Sequence, residues 1–269
     1  MSTFTKHNYT IVIQGPIDWT SMSCIEKYSN FGKVIVSLSN TNNVLLDNNK
    51  LISQIKKYAK IIVNEKIILP QNCFNQANIL YQALSTYNGL IHVDTEFCIK
   101  MRSDEKFTDL SVLLDKHKNN PDKIICSNIF FRKPRHYLYH ISDHLICGRT
   151  DILLKSFENV KNICSANNVH NILTKFKIIH NIARLVPEQI ICLSILQNLI
   201  QNRLIDLRDR NTCINLMKTY FDVIDVDSLG EIIISFKDFH RKGIRCTTSS
   251  SRFILNNRTD ICFSMDEYK

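Results

Sequence analysis

CIKMRSDEKF, residues Cys98–Phe107, is the stretch on which the fold turns. Cys98 to Met101 have the character of a buried strand, and Arg102, Ser103 and Asp104 then put a cation, a hydroxyl and a carboxylate at its end. Read alone, the segment is either a solvated turn or the edge of a site. The residues before it decide what kind of sheet it joins.

Three earlier apolar runs have the same form: YTIVIQ closed by Gly15-Pro16, KVIVSLSN, and KIIVNE. Between them lie helical patterns, DWTSMSCIEKYSNFG stopping at Gly32 and NNKLISQIKKYAK. A longer one, NCFNQANILYQALSTYNG, stops at Gly89 and leads into EFCIKMRSD. Fully apolar strands alternating with helices predict a mostly parallel α/β sheet covered on both faces. The second half is less regular: a helix in DLSVLLDKHKNN, a strand in DKIICSNIFF, a helix opened by Pro187 and Glu188, and two short strands around Gly230. The spacing reads as one domain over residues 1–269.

Composition narrows the function classes. Hydrophobic residues are 44% and charged residues 22%, enough for a full core. The net charge of +9 suits a polyanionic or phosphorylated partner. The basic residues are scattered, however, and no nucleic-acid arm is expected. Ten cysteines include no CxxC pair, and several sit inside apolar runs. They read as buried thiols of a reducing compartment, not as a disulfide scaffold. No apolar run reaches membrane-spanning length. The expected location is therefore cytoplasmic, with peripheral membrane association left open.

In an open parallel sheet, ligands bind beyond the carboxyl ends of the strands. Here those ends carry Gln14-Gly15, Ser37 to Asn40, Asn64-Glu65 and Arg102-Ser103-Asp104. These groups suit a nucleotide, with hydrogen bonds for base and ribose, Arg102 for phosphate, and Asp104 for a phosphate-bound divalent metal. Neither GxGxxG nor GxxxxGK[ST] is present, so a dinucleotide fold and a P-loop are unsupported. Each residue also has a plainer reading. Asp104 could cap a helix beginning near Phe107, and Glu105 and Lys106 could be its solvated start. Ser37 and Asn40 could serve local turns, and Glu188 could be a helix-dipole acid.

An ordered set of motifs resembles the WavE-type lipopolysaccharide synthesis proteins, a family of glycosyltransferase character with a GT-A-like, Rossmann-type sheet. The set is IVIQGPI, YSNFGKVIVSLSN, NCFNQ (Asn72–Gln76), IKMRSDEKF, ISDHLICGRTDIL and VPEQ, spanning Ile11 to Gln189. The resemblance implies transfer of a sugar from a nucleotide-sugar donor, such as a UDP-sugar, to a glycan, glycolipid or glycoprotein hydroxyl. It implies Mn²⁺ or Mg²⁺ on Asp104, with RSD in place of a DxD motif, and a late histidine, His240, as a second ligand. It implies a nucleotide-binding half (1–106) and an acceptor-binding half (107–269), with donor contacts at Gln14, Gly15, Ser37, Asn40, Gln76, Arg102 and Ser103, and a base or acceptor contact at Glu188 or Asp143. The chain departs from the family at Asn75, where Arg is favoured, and at His144, where Trp often stands. A non-catalytic glycan- or nucleic-acid-binding relic and a nucleotidyltransferase are the competing readings.

Overall fold

A computed structural model of the chain describes residues 8–17, 19–39, 49–65, 77–165, 185–201, 205–230, 232–234, 246–247 and 261–269. Strands β1 (Tyr9–Gln14), β2 (Lys33–Ser39) and β3 (Lys60–Asn64) alternate with helices α1 (Trp19–Tyr28) and α2 (Asn49–Ile55). Helix α3 (Ala77–Leu90) leads to β4 (Phe97–Arg102). These strands pair in parallel: β1 with β2, β2 with β3, and β1 with β4. Beyond them lie β6 (Ile124–Ser127), β7 (Leu145–Arg149) and β8 (Phe221–Ile224). The seven-stranded order is β3-β2-β1-β4-β7-β6-β8, with β7 antiparallel to both neighbours. This is the expected mostly parallel α/β sheet, with one reversed strand.

Strand alternation divides the core. Val12, Ile35, Cys98, Cys126 and Ile146 face α3, α5 (Thr150–Ser165) and α6 (Pro187–Leu199), meeting Leu80, Phe157 and Ile190. Ile11, Val34, Ile99, Ile125 and Cys147 face α1, α2 and α4 (Ser111–Asn119), meeting Ile25, Leu51 and Leu113. Both faces of the central strands β1, β2 and β4 are therefore covered, which is why those strands are mostly apolar. Among the described residues eight cysteines are free and buried, acting as small hydrophobes. Gly89 does not stop α3. The helix runs on to Leu90, and a Cβ at Gly89 would come within 2.5 Å of Val12 Cγ1. Glycine here permits close helix–sheet packing.

The chain winds from β1 to β2 to β3 in one direction, then crosses back to place β4 on the other side of β1. That reversal makes a topological switch point at the carboxyl ends of β1 and β4. Gln14 pairs with Ser37 on one side and Arg102 on the other, so the polar strand ends line up at this crevice.

One local expectation fails. No helix begins at Phe107. Glu105–Phe107 form a short strand, β5, antiparallel to β9 (Ile232–Ile234), which in turn pairs with β10 (Cys246–Thr247). Glu105 and Lys106 are buried, and α4 starts only at Ser111. A second small sheet claims the segment, so its charges are not solvated helix polarity.

Candidate active site

The ends of β1 and β4 are locked together. The Ser103 amide donates to the Gln14 carbonyl at 2.9 Å, and the Gly15 amide donates to the Ser37 carbonyl at 3.2 Å. Gly15 has φ +114°, and a Cβ there would lie 2.5 Å from Ser103 Oγ. Ser37 itself is fully buried and accepts a hydrogen bond from Asn64 Nδ2 at 3.0 Å. It sits beneath the rim, not on it.

Arg102 holds Asp104 as a fork: Nε donates to Oδ1 at 2.9 Å and Nη2 to Oδ2 at 2.6 Å. Its third nitrogen, Nη1, lies 3.6 Å from Asp143 Oδ2. Burial works against the Arg102 charge, but Asp104 and Asp143 outweigh it and keep the guanidinium protonated. The cation at the strand end thus joins two carboxylates that the sequence placed far apart.

Asp143 lies just before β7 and is almost wholly buried. Gln82 of α3 donates to its Oδ2 at 2.7 Å, and the ammonium of Lys100 donates to its backbone carbonyl. Burial would raise the Asp143 carboxyl, yet Arg102, Lys100 and Gln82 together hold it below the usual carboxylate range. Lys100 is fully buried on β4, and burial lowers its ammonium to about 8 against the pull of Asp143. His144 follows, with Nε2 at 3.3 Å from Asp143 Oδ1 and Nδ1 in contact with Glu105. Burial keeps this imidazole well below its ordinary pKa.

Glu188 stands in the first turn of α6, where Pro187 opens the helix. Burial first, and then the charge of Asp143, raise its carboxyl to about 7, against the opposing effect of Arg102 and Arg132. A helix-dipole acid in solvent would be stabilised as the anion. Glu188 is shifted the other way, so the helix terminus is not the dominant influence on it. His140 Nε2 is 3.9 Å from its Oε2, with a pKa lowered to about 4 by burial and then by Arg132.

The structure therefore brings Gln14, Gly15, Arg102, Ser103, Asp104 and Asp143 together at the switch point, with Glu188 close enough to feel Asp143 and Arg102. Asn40, Gln76 and His240 lie outside the described residues. Gln82 and Lys100 are not among the candidates that the sequence singles out. A lysine inside an otherwise apolar strand was the signal for Lys100; nothing local marked Gln82.

The fit of a divalent metal can be judged from the donor set. Among the described residues no three His, Cys, Asp or Glu side chains converge on a common point. Asp104 is a partly exposed carboxylate at the rim, with Arg102 across both oxygens. It suits a hard ion that takes most of its ligands from substrate phosphates and water. It does not make a cage that holds an ion unaided.

The fold and this cluster define an α/β protein with a charged site at the switch point of an open sheet. The chain belongs to the WavE lipopolysaccharide synthesis family, whose model matches residues 9–231. Among curated proteins no sequence matches it. Several solved structures are similar. TarS 1–349 of S. aureus, in complex with UDP, is 11% identical over 79% of this chain and 70% of its own, with a TM-score of 0.43. The mannosyltransferase PcManGT of Pyrobaculum calidifontis, with GDP-Man and Mn²⁺, is 11% identical over 56% of this chain and 46% of its own, at 0.37. HddC of Yersinia pseudotuberculosis is 10% identical over 55% of this chain and 79% of its own, at 0.35. No helix among the described residues is long and apolar enough to cross a membrane.

Proposed function

We propose that this chain is a GT-A-like glycosyltransferase, moving a sugar from a nucleotide-sugar donor to the hydroxyl of a glycan or glycoconjugate. The observation that carries the reading is the cluster at the carboxyl ends of β1 and β4, where Arg102 forks Asp104 and lies 3.6 Å from Asp143; burial and the charge of Asp143 raise the Glu188 carboxyl to about 7. A base working near neutral pH needs such a value. Family membership and the switch-point position support the same reading.

In this scheme the Glu188 carboxylate accepts the proton of the acceptor hydroxyl as that oxygen bonds to the anomeric carbon. The bond from that carbon to the nucleoside diphosphate breaks, and the diphosphate leaves with its electron pair. Arg102 donates to diphosphate oxygens, a role suited to its planar fork. Gln14, Gly15 and Ser103 line the nucleotide's path, in the half of the chain formed by residues 1–106. Asp104 would hold a divalent cation, which supplies charge neutralisation of the leaving group. Asp143 tunes Glu188 and orients Arg102.

The test is turnover of UDP-, GDP- and CMP-sugars, followed as nucleotide release, by the wild type and Glu188→Gln. Loss of about 10²-fold or more in Glu188→Gln is expected of a general base. Equal rates in the two proteins would overturn the assignment.

One observation favours a second reading, a binding module for polyanions. At the opposite end of the sheet, Lys33, Lys56, Lys57 and Lys60 line a cleft of about 550 Å³. Salt-sensitive oligonucleotide binding, with no turnover of any donor, would favour that module.

A further inference from the structure

The segment joining β6 to β7, residues 128–144, is built as a shelf. Two of its aromatic residues are anchors. Phe131 is fully buried, its ring edge-on to Tyr268 at 5.9 Å, and its carbonyl accepts from the Cys262 amide at 2.7 Å. Tyr139 is buried too, its hydroxyl donating to the Asp206 carbonyl at 3.3 Å and its amide to Cys213 Sγ at 3.3 Å. The Arg132 amide donates to the His140 carbonyl at 3.2 Å and closes the loop across its base. Gln189 of α6 reaches over to donate to the Leu138 carbonyl at 2.8 Å, so the loop is tied to the helix that carries Glu188.

The backbone is strained to reach this shape. Phe130 and Tyr139 have φ of 57° and 55°, left-handed values that bulky side chains avoid. Such a conformation persists only where the surroundings fix it. The result is a line of rings and one cation, in which Tyr137 is exposed, Phe130 is partly buried against the core, and His140 and His144 are buried. The Arg132 guanidinium lies 5.5 Å from the Phe130 ring and 5.7 Å from the Tyr137 ring. The Tyr137 ring is 5.3 Å from that of His140, whose Nε2 is 3.9 Å from Glu188. At the other end, Phe130 is 5.5 Å from the ring of His144, which touches Asp143. The line thus runs from one carboxylate of the site to the other. Tyr137 is 44% exposed, an unusual position for a large ring beside a buried charge cluster.

We infer that this shelf is the acceptor subsite, and that its occupant is a pyranose ring stacked on Tyr137. The inference rests on the reading of Glu188 as the base. A pyranose has an apolar face of C–H groups and a rim of hydroxyls. An aromatic ring offers the matching face, and a neighbouring guanidinium offers in-plane donors to the rim. A ring seated on Tyr137 directs a hydroxyl past His140 toward Glu188. A nucleobase would stack as well, but the nucleotide's polar groups converge at Gln14, Ser103 and Arg102, on the ends of β1 and β4.

The probes are methyl α-mannopyranoside, methyl β-glucopyranoside and methyl β-galactopyranoside, with the full chain and its Tyr137→Ala and Tyr137→Phe variants. Saturation-transfer NMR reads binding without turnover, and nucleotide release reads transfer. Ring-proton saturation is expected in the wild type and in Tyr137→Phe, and is lost in Tyr137→Ala. In transfer assays Tyr137→Ala raises the acceptor KM about tenfold, the scale of one aromatic contact, and the donor KM by less than about twofold. A rise in the donor KM alone, or an acceptor KM that ignores the ring, overturns the shelf. Glycoside binding with no turnover of any donor overturns the transferase reading and leaves the sugar shelf standing.

Discussion

Arg102 and Asp104, two residues apart at the end of β4, form a bidentate ion pair with bonds of 2.9 and 2.6 Å. The pair is partly exposed, at about a quarter of each side chain, so it faces the crevice without being sealed in it. Both Asp104 oxygens are occupied by the cation expected to meet the diphosphate. Donor and metal therefore compete with, or rearrange, the same salt bridge. Mn²⁺ alone should bind weakly, and binding should tighten at least about tenfold when UDP or GDP supplies phosphate oxygens. Mn²⁺ electron paramagnetic resonance titrations with and without nucleotide measure this directly. Equal affinity in both would show a preformed ion site and refute the shared-ligand arrangement. Asp104→Ala should remove the nucleotide-dependent component.

The acid limb of the pH–rate profile should reflect Glu188. A base must be ionised to work, so activity rises with pH through about 7, the value to which burial and Asp143 lift this carboxyl. The sign for Asp143→Asn follows. Removing a neighbouring negative charge makes the Glu188 anion easier to form, so the limb moves to lower pH. If Asp143 were itself the base, the variant would lose activity at every pH. The two outcomes separate the roles that the sequence left open between these residues.

Gly15→Ala tests the clasp between β1 and β4. Its φ of +114° is costly for any residue with a Cβ, and the new atom would meet Ser103 Oγ at 2.5 Å. A loss of about 1–3 kcal/mol in denaturant unfolding is expected. Pairing it with Ser103→Ala removes the contact but not the dihedral, so the double variant should recover only part of the loss. Full recovery would show that crowding, not backbone conformation, sets the requirement for glycine.

Much of the fold is legible in the sequence, for identifiable reasons. β1, β2 and β4 are legible because a strand buried on both faces has little besides apolar residues to offer, and edge strand β3 because its apolar run is bounded by charge. The crevice followed from strand ends alone. Glu105 to Phe107 misled because alternating charge resembles a solvated helix start; the strand depends on Ile232–Ile234, far along the chain. Asp143 and Glu188 were visible only as alternatives. What joins them to the site is Arg102 on a third element and Gln82 on a fourth, and no local pattern records such convergence. The shelf is not legible for a related cause: Tyr137 looks like an ordinary core residue, and only the fold leaves it exposed.

Gln189 links the two halves of the site, and its two bonds can be separated. Its Oε1 accepts from the Val186 amide at 3.2 Å, closing the first turn of α6, while its Nε2 donates to the Leu138 carbonyl. Gln189→Ala removes both and leaves a partly buried amide and carbonyl without these partners, at a cost of about 1–3 kcal/mol. Gln189→Glu keeps an oxygen for the amide but sets a carboxylate against the carbonyl. The helix start survives and the tie to the loop does not. Gln189→Glu should therefore hold the helix signal in circular dichroism while raising the acceptor KM, the same direction expected of Tyr137→Ala. Gln189→Ala should lower both stability and acceptor binding. If Gln189→Glu leaves the acceptor KM untouched, the loop is held by Phe131 and Tyr139 alone, and the bridge from α6 serves only the helix.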